Sequence, residues 1–418
     1  MFNSEKLLKE LGGNGWNLGL ERMELMVKEL HWPIAKLCSI HIAGTNGKGT
    51  VSRIVEKLLQ QAGFKTGLFT SPHLVCPTER FCINGSAVDR TVFDELLQNH
   101  AAMLVRCRAT YFEAMTIMAF SLFAQENVDI VILEVGLGGR FDATNVVSPA
   151  CSVITNISLD HTEFLGETLE EIAGEKAGII KQGVPCIVGD VEYSALGIIE
   201  EIAREKGAEV LLSQDLVSCS SLKKGAVRAD IRFAFKGEPE EKVKFGLLGA
   251  HHVQNARTAL AVASQFIEKR ELVAAARLIF PGLSIPGRMD VRGQEPFELV
   301  DVAHNVASMQ ALVSGCRQAG IEKAHIVIGL LRDKDLGGIL HVLAGFALSL
   351  FCVTPETERA LGAEELADAA GACGVAAQSY DAVDKALAAA RGCAGKGGAV
   401  IVTGSHFIAG EVVSGCNR

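Results

Sequence analysis

The sequence lacks any apolar run long enough to cross a membrane. No stretch of about 18 uninterrupted apolar residues occurs along the chain. The first residues, MFNSEKLLKELGGNGW, mix charged side chains with leucine and lack the apolar core of a secretory signal. We therefore expect a cytoplasmic protein without a membrane span.

The chain also lacks the cysteine spacing of a disulfide framework or a zinc site. Its 12 cysteines are scattered and form no CxxC pair. Disulfide-bonded domains and zinc knuckles need regularly spaced cysteines. We predict reduced thiols that are buried as small apolar side chains.

The chain also has fewer positively charged than negatively charged residues. The net charge is −9 and the isoelectric point is about 5.7. Surfaces that bind nucleic acid usually carry clustered Lys and Arg and have a basic isoelectric point, so we expect no nucleic-acid partner. An anionic substrate must then be met by a few local cations rather than by the field of the whole protein.

What the sequence does contain is an alternation of apolar strands and helical patterns. The 418 residues are enough for two or three domains. The pattern predicts a helix at TVSRIVEKLLQQAG and strands at LCSIHIAG, VDIVILEVG and CSVITNIS. Nearly continuous apolar strands with helices between them indicate a parallel sheet covered on both faces.

Two segments interrupt this rhythm. Within residues 209–247, LKKGAVRADIRFAFKG and EEKVKFGLL alternate polar and apolar residues as antiparallel strands do, and HHVQNARTALAVASQFIEK then predicts a helix. The run PGLSIPG at 281–287 is the best linker candidate, because two prolines and two glycines cannot continue a helix or a central strand.

Beyond this linker the strand–helix pattern restarts with FELVDVAH, AHIVIGLL, LSLFCVT and GAVIVTG. We predict an α/β protein with two domains. Residues 1–284 would form a P-loop ATPase-type domain built on a parallel sheet. Residues 285–418 would form a smaller, Rossmann-like α/β domain.

A glycine-rich loop joins the first strand to its helix in the run IHIAGTNGKGT at 40–50. Glycines let the backbone aim its N–H groups at phosphate oxygens, and the helix N-terminus adds its positive end. Lys48 can neutralise the β and γ phosphates, and Thr50 can reach a magnesium ion. The spacing G-x-x-G-K-G-T departs from G-x-x-x-x-G-K-[ST], so a plain glycine-rich turn with a surface lysine is the alternative. The predicted ATP-binding residues of the loop are Gly44, Thr45, Asn46, Gly47, Lys48, Gly49 and Thr50.

Polar side chains follow other predicted strands. Glu134 ends an apolar strand, at the edge where open α/β sheets place their ligands. A carboxylate there needs a partner, because an unpaired buried charge is costly, and Mg²⁺ would supply one. Ser71 and His161 also lie in loops that follow strands. Histidine is a less usual magnesium ligand, so His161 could equally be a capping or core residue.

Motifs in a fixed order link the chain to a known family. It carries in turn GTNGKGT, SPHL, ERFCING, TYFEAMT, LEVGLGGRFDATN, LDHTEFLG, EKAGIIK, IPGRMD, DVAHN and RDKD. Together these resemble the folylpolyglutamate synthase / dihydrofolate synthase family of the muramyl-peptide ligase superfamily. Phe141, Val302 and Val306 stand where that family usually has Leu, Gly and Pro. These departures change shape near the site without removing a chemical group.

The resemblance implies a metal site with two magnesium ions. The family's metal ligands fall on Ser71, Glu134 and His161. Lys176 matches a lysine that is carbamylated in family members. A buried lysine with a lowered pKa is nucleophilic and can capture carbon dioxide, giving a carboxylate for the second ion. Without the resemblance, a surface lysine on a helix is the usual interpretation.

The resemblance also implies a pocket for the pteroate part of the substrate. Thr110, Phe112 and Asp142 match residues that line it in members that make dihydrofolate. Phe112 could stack on the pterin ring, and Asp142 could accept hydrogen bonds from its N–H groups. A helix-start core residue and an N-cap are the alternatives for these two. Arg80 is a weaker candidate, for a substrate carboxylate.

Residues later in the chain would complete the site. By resemblance, Asn255 contacts adenine, and Arg288, Asp301 and His304 touch the ribose and phosphates of ATP. A solvated arginine and turn-forming Asp and His residues are the alternatives. Ser405 and His406 could seat the incoming glutamate, although a simple turn after the strand would explain them equally well.

These expectations describe an ATP-dependent ligase that joins L-glutamate to dihydropteroate and to folates through an acyl phosphate, acting as a monomer. A folylpolyglutamate synthase without the dihydrofolate step is the alternative. A muramyl-peptide ligase is disfavoured by TYFE and SPHL. An ATP-binding switch or motor would need the phosphate loop but would give no role to Glu134, His161 and Lys176.

Overall fold

The computed structural model of the protein describes residues 3–13, 19–30, 37–221 and 229–415. Its first sheet has eight strands in the order β4-β3-β2-β5-β1-β6-β7-β8. All neighbours from β2 to β8 are parallel, whereas β3 and β4 run antiparallel at one edge. The strands are β1 (Ser39–Ala43), β2 (Thr66–Phe69), β3 (Phe81–Ile83), β4 (Ser86–Ala87), β5 (Ile130–Glu134), β6 (Cys151–Asn156), β7 (Cys186–Asp190) and β8 (Val210–Leu212). The predicted parallel sheet is therefore confirmed.

Eleven helices accompany this sheet within the described residues. They are α1 (Ser4–Gly13), α2 (Glu21–Glu29), α3 (Lys48–Gln61), α4 (Arg90–Arg106), α5 (Tyr111–Gln125), α6 (Thr162–Leu165), α7 (Leu169–Ala177), α8 (Tyr193–Glu205), α9 (Ser213–Leu216), α10 (Ala250–Ala263) and α11 (Lys269–Ile279). Helix α3 is amphipathic and buries its apolar side on one face of the sheet. Helix α5 is apolar on all sides, so it packs as an interior helix on the other face.

A three-stranded antiparallel sheet, β11-β10-β9, packs against α10. Its strands are β9 (Val217–Ser221), β10 (Ala229–Phe235) and β11 (Glu241–Phe245). The prediction of antiparallel strands is confirmed here, although its portion LKKGAVR at 222–228 lies outside the described residues. It is wrong for Val210–Leu212, which extends the parallel sheet instead. The single helix predicted over 251–269 is also wrong, because α10 ends at Ala263 and a new helix begins at Lys269.

The third sheet has six strands in the order β12-β13-β17-β14-β15-β16 and is parallel except for β12. Its strands are β12 (Asp290–Gln294), β13 (Phe297–Val300), β14 (Ala324–Ile328), β15 (Ala347–Cys352), β16 (Ala377–Ser379) and β17 (Ala399–Thr403). Its helices are α12 (Val306–Gln318), α13 (Leu336–Ala344), α14 (Ala363–Ala372), α15 (Val383–Ala394) and α16 (His406–Gly415). We refer to this unit as the C-terminal domain and to the unit before it as the N-terminal domain. The boundary between residues 284 and 285 remains a prediction.

Two further expectations can be compared with the fold. No helix among the described residues is long and apolar enough to span a bilayer. The described cysteines are all free thiols, as predicted. Burial holds only for part of them, because Cys38, Cys373 and Cys393 are exposed.

Candidate active site

One large cavity lies where the two domains meet, with a volume of about 810 Å³. The adjacent parallel strands β2, β5, β1 and β6 end at its N-terminal wall. Strands β13 and β17 end at the opposite wall. Open α/β sheets bind ligands beyond the carboxyl ends of their strands, and here two such edges face each other. Every predicted site residue from Thr45 to His406 lines this cavity, whereas Gly44 lies directly behind it at the end of β1.

The glycine-rich loop is held closely against the end of β6. Thr45 and Asn46 donate their backbone N–H groups to the Asn156 carbonyl and side chain at 3.0 and 2.7 Å. The Thr155 hydroxyl donates to the Asn46 carbonyl at 2.7 Å. Gly44 has a φ of 147°, and a Cβ there would approach the Thr155 hydroxyl to 1.9 Å. This loop therefore requires glycine at Gly44 for both its backbone conformation and its close packing.

Lys48 begins α3 and folds back over the loop. Its ammonium group donates to the carbonyls of Gly44 and Thr45 at 2.9 and 3.2 Å. Burial lowers the pKa of Lys48, and the negative charges of Glu134 and Asp160 partly offset this. The surface-lysine alternative is wrong, because this ammonium is enclosed by the loop and faces the cavity.

Glu134 lies at the end of β5, with only 3% of its surface exposed. Its Oε2 accepts a hydrogen bond from the Ser71 backbone N–H at 3.1 Å, which brings these two predicted metal ligands together. Burial raises the pKa of Glu134, and Lys48 is the strongest opposing influence. A buried carboxylate that faces an open cavity and is raised in pKa in this way is a fitting partner for a hard cation.

His161 lines the same cavity but is less clearly placed for a metal. Its Nε2 lies 3.4 Å from the Lys334 ammonium and 3.9 Å from the Asp160 carboxylate. Burial lowers the pKa of His161 to about 4, although Asp160 opposes the shift, so the ring is a neutral acceptor at pH 7. A cation could not share the nitrogen that faces the ammonium, so the ring would have to offer Nδ1 or turn. Its side chain makes no capping bond to α6, which removes one alternative.

Lys176 is buried near the end of α7, with 4% of its surface exposed. The surface-lysine alternative is therefore wrong. Burial, followed by the positive charge of Lys48, lowers the pKa of Lys176 to about 7. Its ammonium has no hydrogen-bond or ion-pair partner within the described part of the chain. With this pKa, an unpaired Lys176 is partly neutral near pH 7, and a neutral buried amine is suited to carbamylation.

No group of three His, Cys, Asp or Glu side chains in the described residues is arranged to hold a metal ion by itself. The predicted set offers one carboxylate, one hydroxyl, one imidazole and one amine. Magnesium commonly keeps several waters and binds substrate phosphates as well as one or two carboxylates. The donor set therefore fits a metal that arrives with a nucleotide, with Glu134 as its protein carboxylate.

Phe112 lies in the first turn of α5 and lines the same cavity. Its ring centroid is 5.8 Å from that of Phe69, at an interplanar angle of 32°. A Cβ on Gly136 would approach the Phe112 ring to 2.6 Å, so the glycine makes room for it. The ring is thereby fixed while it still lines the cavity, as a stacking platform requires.

Thr110 and Asp142 have local structural roles. Thr110 caps α5: its hydroxyl accepts from the Glu113 N–H at 3.2 Å, and Glu113 accepts the Thr110 N–H at 2.7 Å. Asp142 accepts from the backbone of Gly136, Leu137 and Thr144 and from the Thr144 hydroxyl. A carboxylate has about four acceptor positions, and all four are used here. The N-cap alternative for Asp142 is confirmed. Hydrogen bonding of Asp142 to a pterin remains a prediction, although the carboxylate has no unused acceptor position in this structure.

Arg80 lies beside this pocket, with 7% of its surface exposed. Its Nε faces His73 Nδ1 at 2.8 Å, and its guanidinium sits 5.4 Å from the Tyr111 ring centroid. Burial lowers the pKa of His73 to about 4, helped by the charge of Arg80, so the neutral imidazole accepts the hydrogen bond. The arrangement places a buried cation next to the start of α5, where a substrate carboxylate could reach it.

The C-terminal wall is organised by Asp301, directly after β13. Its two oxygens accept from the Met289 and Ala303 backbone N–H groups at 2.7 and 2.8 Å. Asp301 thus fixes the segment that carries Arg288, and Arg288 lies 3.4 Å from His406 Nε2. His304 donates its Nδ1–H to the Val302 carbonyl at 2.8 Å, which turns Nε2 towards the N-terminal domain.

Ser405 and His406 begin α16, after β17. The Ser405 hydroxyl accepts the Ile408 N–H at 3.3 Å, so the simple turn interpretation accounts for part of its role. Burial, followed by the charge of Arg288, places the pKa of His406 well below its usual value. A neutral His406 accepts from Arg288 and stands 5.7 Å from the His304 ring. These residues share the cavity, but the contact with glutamate stays a prediction.

Asn255 approaches the glycine-rich loop from α10. A Cβ on Gly47 would lie 2.4 Å from its Oδ1, so the amide is close against the loop. His251 and His252 precede it on the same helix, with ring centroids 4.1 Å apart. Both nitrogens of the buried His252 ring are without a partner in the described structure. Asn255 thus places its amide beside the glycine-rich loop, whereas the two nitrogens of His252 are enclosed.

Sequence reasoning missed several residues that the structure brings into the site. Asp160, Asn305 and Lys334 meet at the boundary between the domains, and Asn156 anchors the glycine-rich loop. Asp160, Asn305 and Lys334 lie inside the motifs LDHT, DVAHN and RDKD. The resemblance to the family assigns no role to these three residues. The motifs were the available signal, but the partners of each residue depend on the tertiary structure.

Comparison with known proteins places this geometry in context. The sequence model of the Mur ligase middle domain matches residues 42–263, and that of the Mur ligase glutamate ligase domain matches residues 287–406. The chain is 34% identical over 411 residues to the dihydrofolate synthase/folylpolyglutamate synthase of Escherichia coli K12, covering 97% of this chain and 93% of that protein.

Two solved structures are similar along nearly the whole chain. The folylpolyglutamate synthase of Mycobacterium tuberculosis, complexed with ADP, superposes with a TM-score of 0.91 and 29% identity, covering 100% of this chain and 99% of that one. The bifunctional folylpolyglutamate synthase/dihydrofolate synthase of Yersinia pestis, complexed with AMPPNP and a Mn ion, gives a TM-score of 0.86 and 33% identity, covering 99% and 97%.

Proposed function

The chain belongs to the Mur ligase family, among its dihydrofolate synthase/folylpolyglutamate synthases, and on this premise we propose that its interdomain cavity joins L-glutamate to dihydropteroate and to folates. It is an ATP-dependent ligase that forms a C–N bond between a carboxylate and an amine. Its substrates are small molecules: ATP, L-glutamate, and a pteroate or folate.

The observation that carries this proposal is the composition of the two facing walls. The N-terminal wall presents Lys48, Glu134 and the fixed ring of Phe112. The C-terminal wall presents Arg288 and His406. A glycine-rich loop with its lysine, an aromatic platform and an arginine from the other domain thus surround one cavity, as a reaction between ATP, an aromatic carboxylate and an amino acid requires.

The reaction proceeds in two steps. The acceptor carboxylate attacks the γ-phosphorus of ATP, which forms an acyl phosphate and releases ADP. The unprotonated amine of glutamate then attacks the acyl carbon, phosphate leaves, and a proton is lost to give the amide. Lys48 stabilises the charge that develops on the transferring phosphoryl group, and Arg288 faces it from the other domain. Because an acyl phosphate hydrolyses readily, closure of the domains about residues 281–287 excludes water.

A divalent metal accompanies the nucleotide, and we assign it as magnesium. Bound magnesium neutralises phosphate oxygens and polarises the γ-phosphoryl group. Glu134, Ser71 and His161 would hold a first ion, and Thr50 could reach it from the first turn of α3. Lys176, carbamylated, would supply a carboxylate for a second ion. Its burial and its pKa of about 7 support this assignment.

Phe112 would hold the pterin, with Arg80 beside it for a carboxylate. Asn255 would contact the adenine, and Asp301 and His304 the ribose and phosphates of ATP. Ser405 and His406 would receive the glutamate. Thr110 and Asp142 would shape the pteroate pocket mainly through the capping bonds described above. We propose that the enzyme acts as a cytoplasmic monomer.

A single assay tests the proposal. Purified enzyme is given ATP, magnesium and L-glutamate, with dihydropteroate or with tetrahydrofolate, and the products are weighed by mass spectrometry. We expect one glutamate added to dihydropteroate and further glutamates added to tetrahydrofolate. Addition to tetrahydrofolate alone would favour a folylpolyglutamate synthase without the dihydrofolate step. ATP turnover that needs neither a folate nor glutamate would overturn the proposal.

A further inference from the structure

A cluster of hydrogen-bonded side chains crosses the domain boundary at Asp160. The Asp160 carboxylate contacts three groups of the C-terminal domain. These are the Lys334 ammonium at 2.7 Å, the Asn305 amide at 2.9 Å and His304 Nε2 at 3.5 Å. Asp160 itself belongs to the loop after β6 in the N-terminal domain, next to His161. One carboxylate therefore gathers three groups from the opposite wall.

The pair of Asp160 and Lys334 is unusual in its burial. The two side chains are only 8% and 5% exposed. The ion pair of Lys385 with Asp381 has the same 2.7 Å separation, but there the side chains are 61% and 74% exposed. An exposed pair is weakened by water and salt, whereas breaking a buried pair leaves an uncompensated charge. Removing one partner of the interdomain pair should therefore cost much more free energy than removing one partner of the exposed pair.

The cluster reaches the phosphate loop through Asn305. Asn305 donates to the Asn46 side chain at 3.1 Å, and Asn46 is fixed by its backbone bond to Asn156. A shift of the C-terminal domain would therefore disturb the loop that holds phosphate and the loop that carries His161. Among the described residues, the polar contacts of the Lys334 side chain are Asp160, Asp333 and His161, none of which belongs to the aromatic platform or the glycine-rich loop.

We propose that Lys334 is a positioning residue, which pairs with Asp160 across the boundary and sets the C-terminal wall at working distance from the phosphate loop. The proposal rests on the function assigned above, because its effect is exerted on the nucleotide. Lys334 would act through Asp160 and Asn305 rather than by touching the reacting atoms. Without its charge the two walls would still fold but would be held less firmly together.

The test compares Lys334→Met with Lys385→Met, which removes the equivalent charge from the exposed pair in the same domain. In Lys334→Met, kcat/KM for ATP should fall about tenfold or more, as expected for truncating one partner of a buried charge pair. KM for the folate substrate should change little, because its ring is held by the N-terminal wall alone. Lys334→Arg, which keeps the charge, should recover part of the loss, and Lys385→Met should match the wild type.

Hydrogen exchange separates positioning from folding. In Lys334→Met, amides around Asn46 and Asn305 should exchange faster while those of β14 and β17 keep their protection. Kinetic constants equal to those of Lys385→Met would overturn the proposal. Faster exchange throughout 290–415 would also overturn it, because Lys334 would then serve the folding of its own domain. If the wild type ligates no glutamate, the assigned function fails, while hydrogen exchange and ADP affinity still decide the role of Lys334.

Discussion

Particular polar groups on the two walls of the cavity differ in how far they are already hydrogen-bonded. On the N-terminal wall, Lys176 has no hydrogen-bond or ion-pair partner in the described structure, and Glu134 accepts a single hydrogen bond, from Ser71. On the C-terminal wall, each oxygen of Asp301 accepts a backbone N–H group, and Ser405 caps α16. Groups with unused capacity are available for ligands, whereas engaged groups hold a frame in place. We therefore infer that Lys176 and Glu134 on the N-terminal wall are open to ligands, whereas Asp301 and Ser405 on the C-terminal wall position the backbone.

The largest effect is expected at Lys48. Lys48→Ala should lower ligation by about 10²–10³, because a charge that stabilises the transferring phosphoryl group is lost. Lys57→Ala, on the same helix α3, is the matched control and should keep its rate. Steady-state rates and circular dichroism on both variants check this. Near-normal turnover by folded Lys48→Ala enzyme would remove the phosphate loop from the mechanism.

A second large effect is expected at Glu134. Glu134→Gln keeps the shape but removes the charge that would hold magnesium. The magnesium concentration for half-maximal rate should rise at least about tenfold, and activity at ordinary magnesium should collapse. Glu126→Gln, at an exposed position after α5, should leave the titration unchanged. If both variants titrate like the wild type, Glu134 has only a structural role.

The pH dependence of stability and activity tests whether Lys176, on the N-terminal wall, is open to modification. The folded-state pKa of about 7 lies below the ordinary 10.5, so the folded protein favours the neutral amine. Stability should therefore rise with pH between these values, where only the unfolded chain holds this proton. Carbamylation and activity should decline as pH falls below about 7. Carbon-13 bicarbonate should give a carbamate NMR signal in the wild type and none in Lys176→Met. A signal that persists in Lys176→Met would exclude this residue.

Phe112→Ala tests whether the aromatic platform serves one substrate more than the other. Loss of a stacking ring should lower glutamate addition to dihydropteroate at least about tenfold relative to extension of tetrahydrofolate. Phe112 is a cleaner choice than Thr110 or Asp142, whose removal would also break capping bonds. Tyr193→Ala, which removes an exposed ring, should alter neither activity. A parallel fall in both activities would mean that the two substrates share one pterin pocket.

The smallest effect is expected on the C-terminal wall. Asp301→Asn keeps one oxygen acceptor but loses the other, so the Met289 segment and Arg288 should be held less firmly. We expect KM for ATP to rise by a few-fold, in line with the loss of about 1 kcal/mol for one hydrogen bond, with kcat less affected. Kinetics with varied ATP measure this. A loss as large as that of Lys48→Ala would contradict the division of roles between the walls.

Much of the fold could be predicted, because apolar runs and helix periodicity are local properties. The strands at Ser39–Ala43, Ile130–Glu134 and Cys151–Asn156 fall inside the predicted runs. The failures concern features that a local pattern does not determine. Val210–Leu212 is too short to reveal by alternation which sheet it joins, and the apolar pattern over 251–269 continues across the break between Ala263 and Lys269.

For the site, the sequence by itself determined which chemical groups are present and in which order. The glycine-rich loop, the acid at the end of β5 and the aromatic residue at the start of α5 follow from motifs and strand ends. Only the tertiary structure decided which of these groups are hydrogen-bonded or ion-paired with one another. Asp142 has its acceptor positions filled by its own loop, and Asp160 meets Lys334 from 174 positions later in the chain. Such pairings depend on how two sheets bring their strand ends together, and no local pattern records that distance.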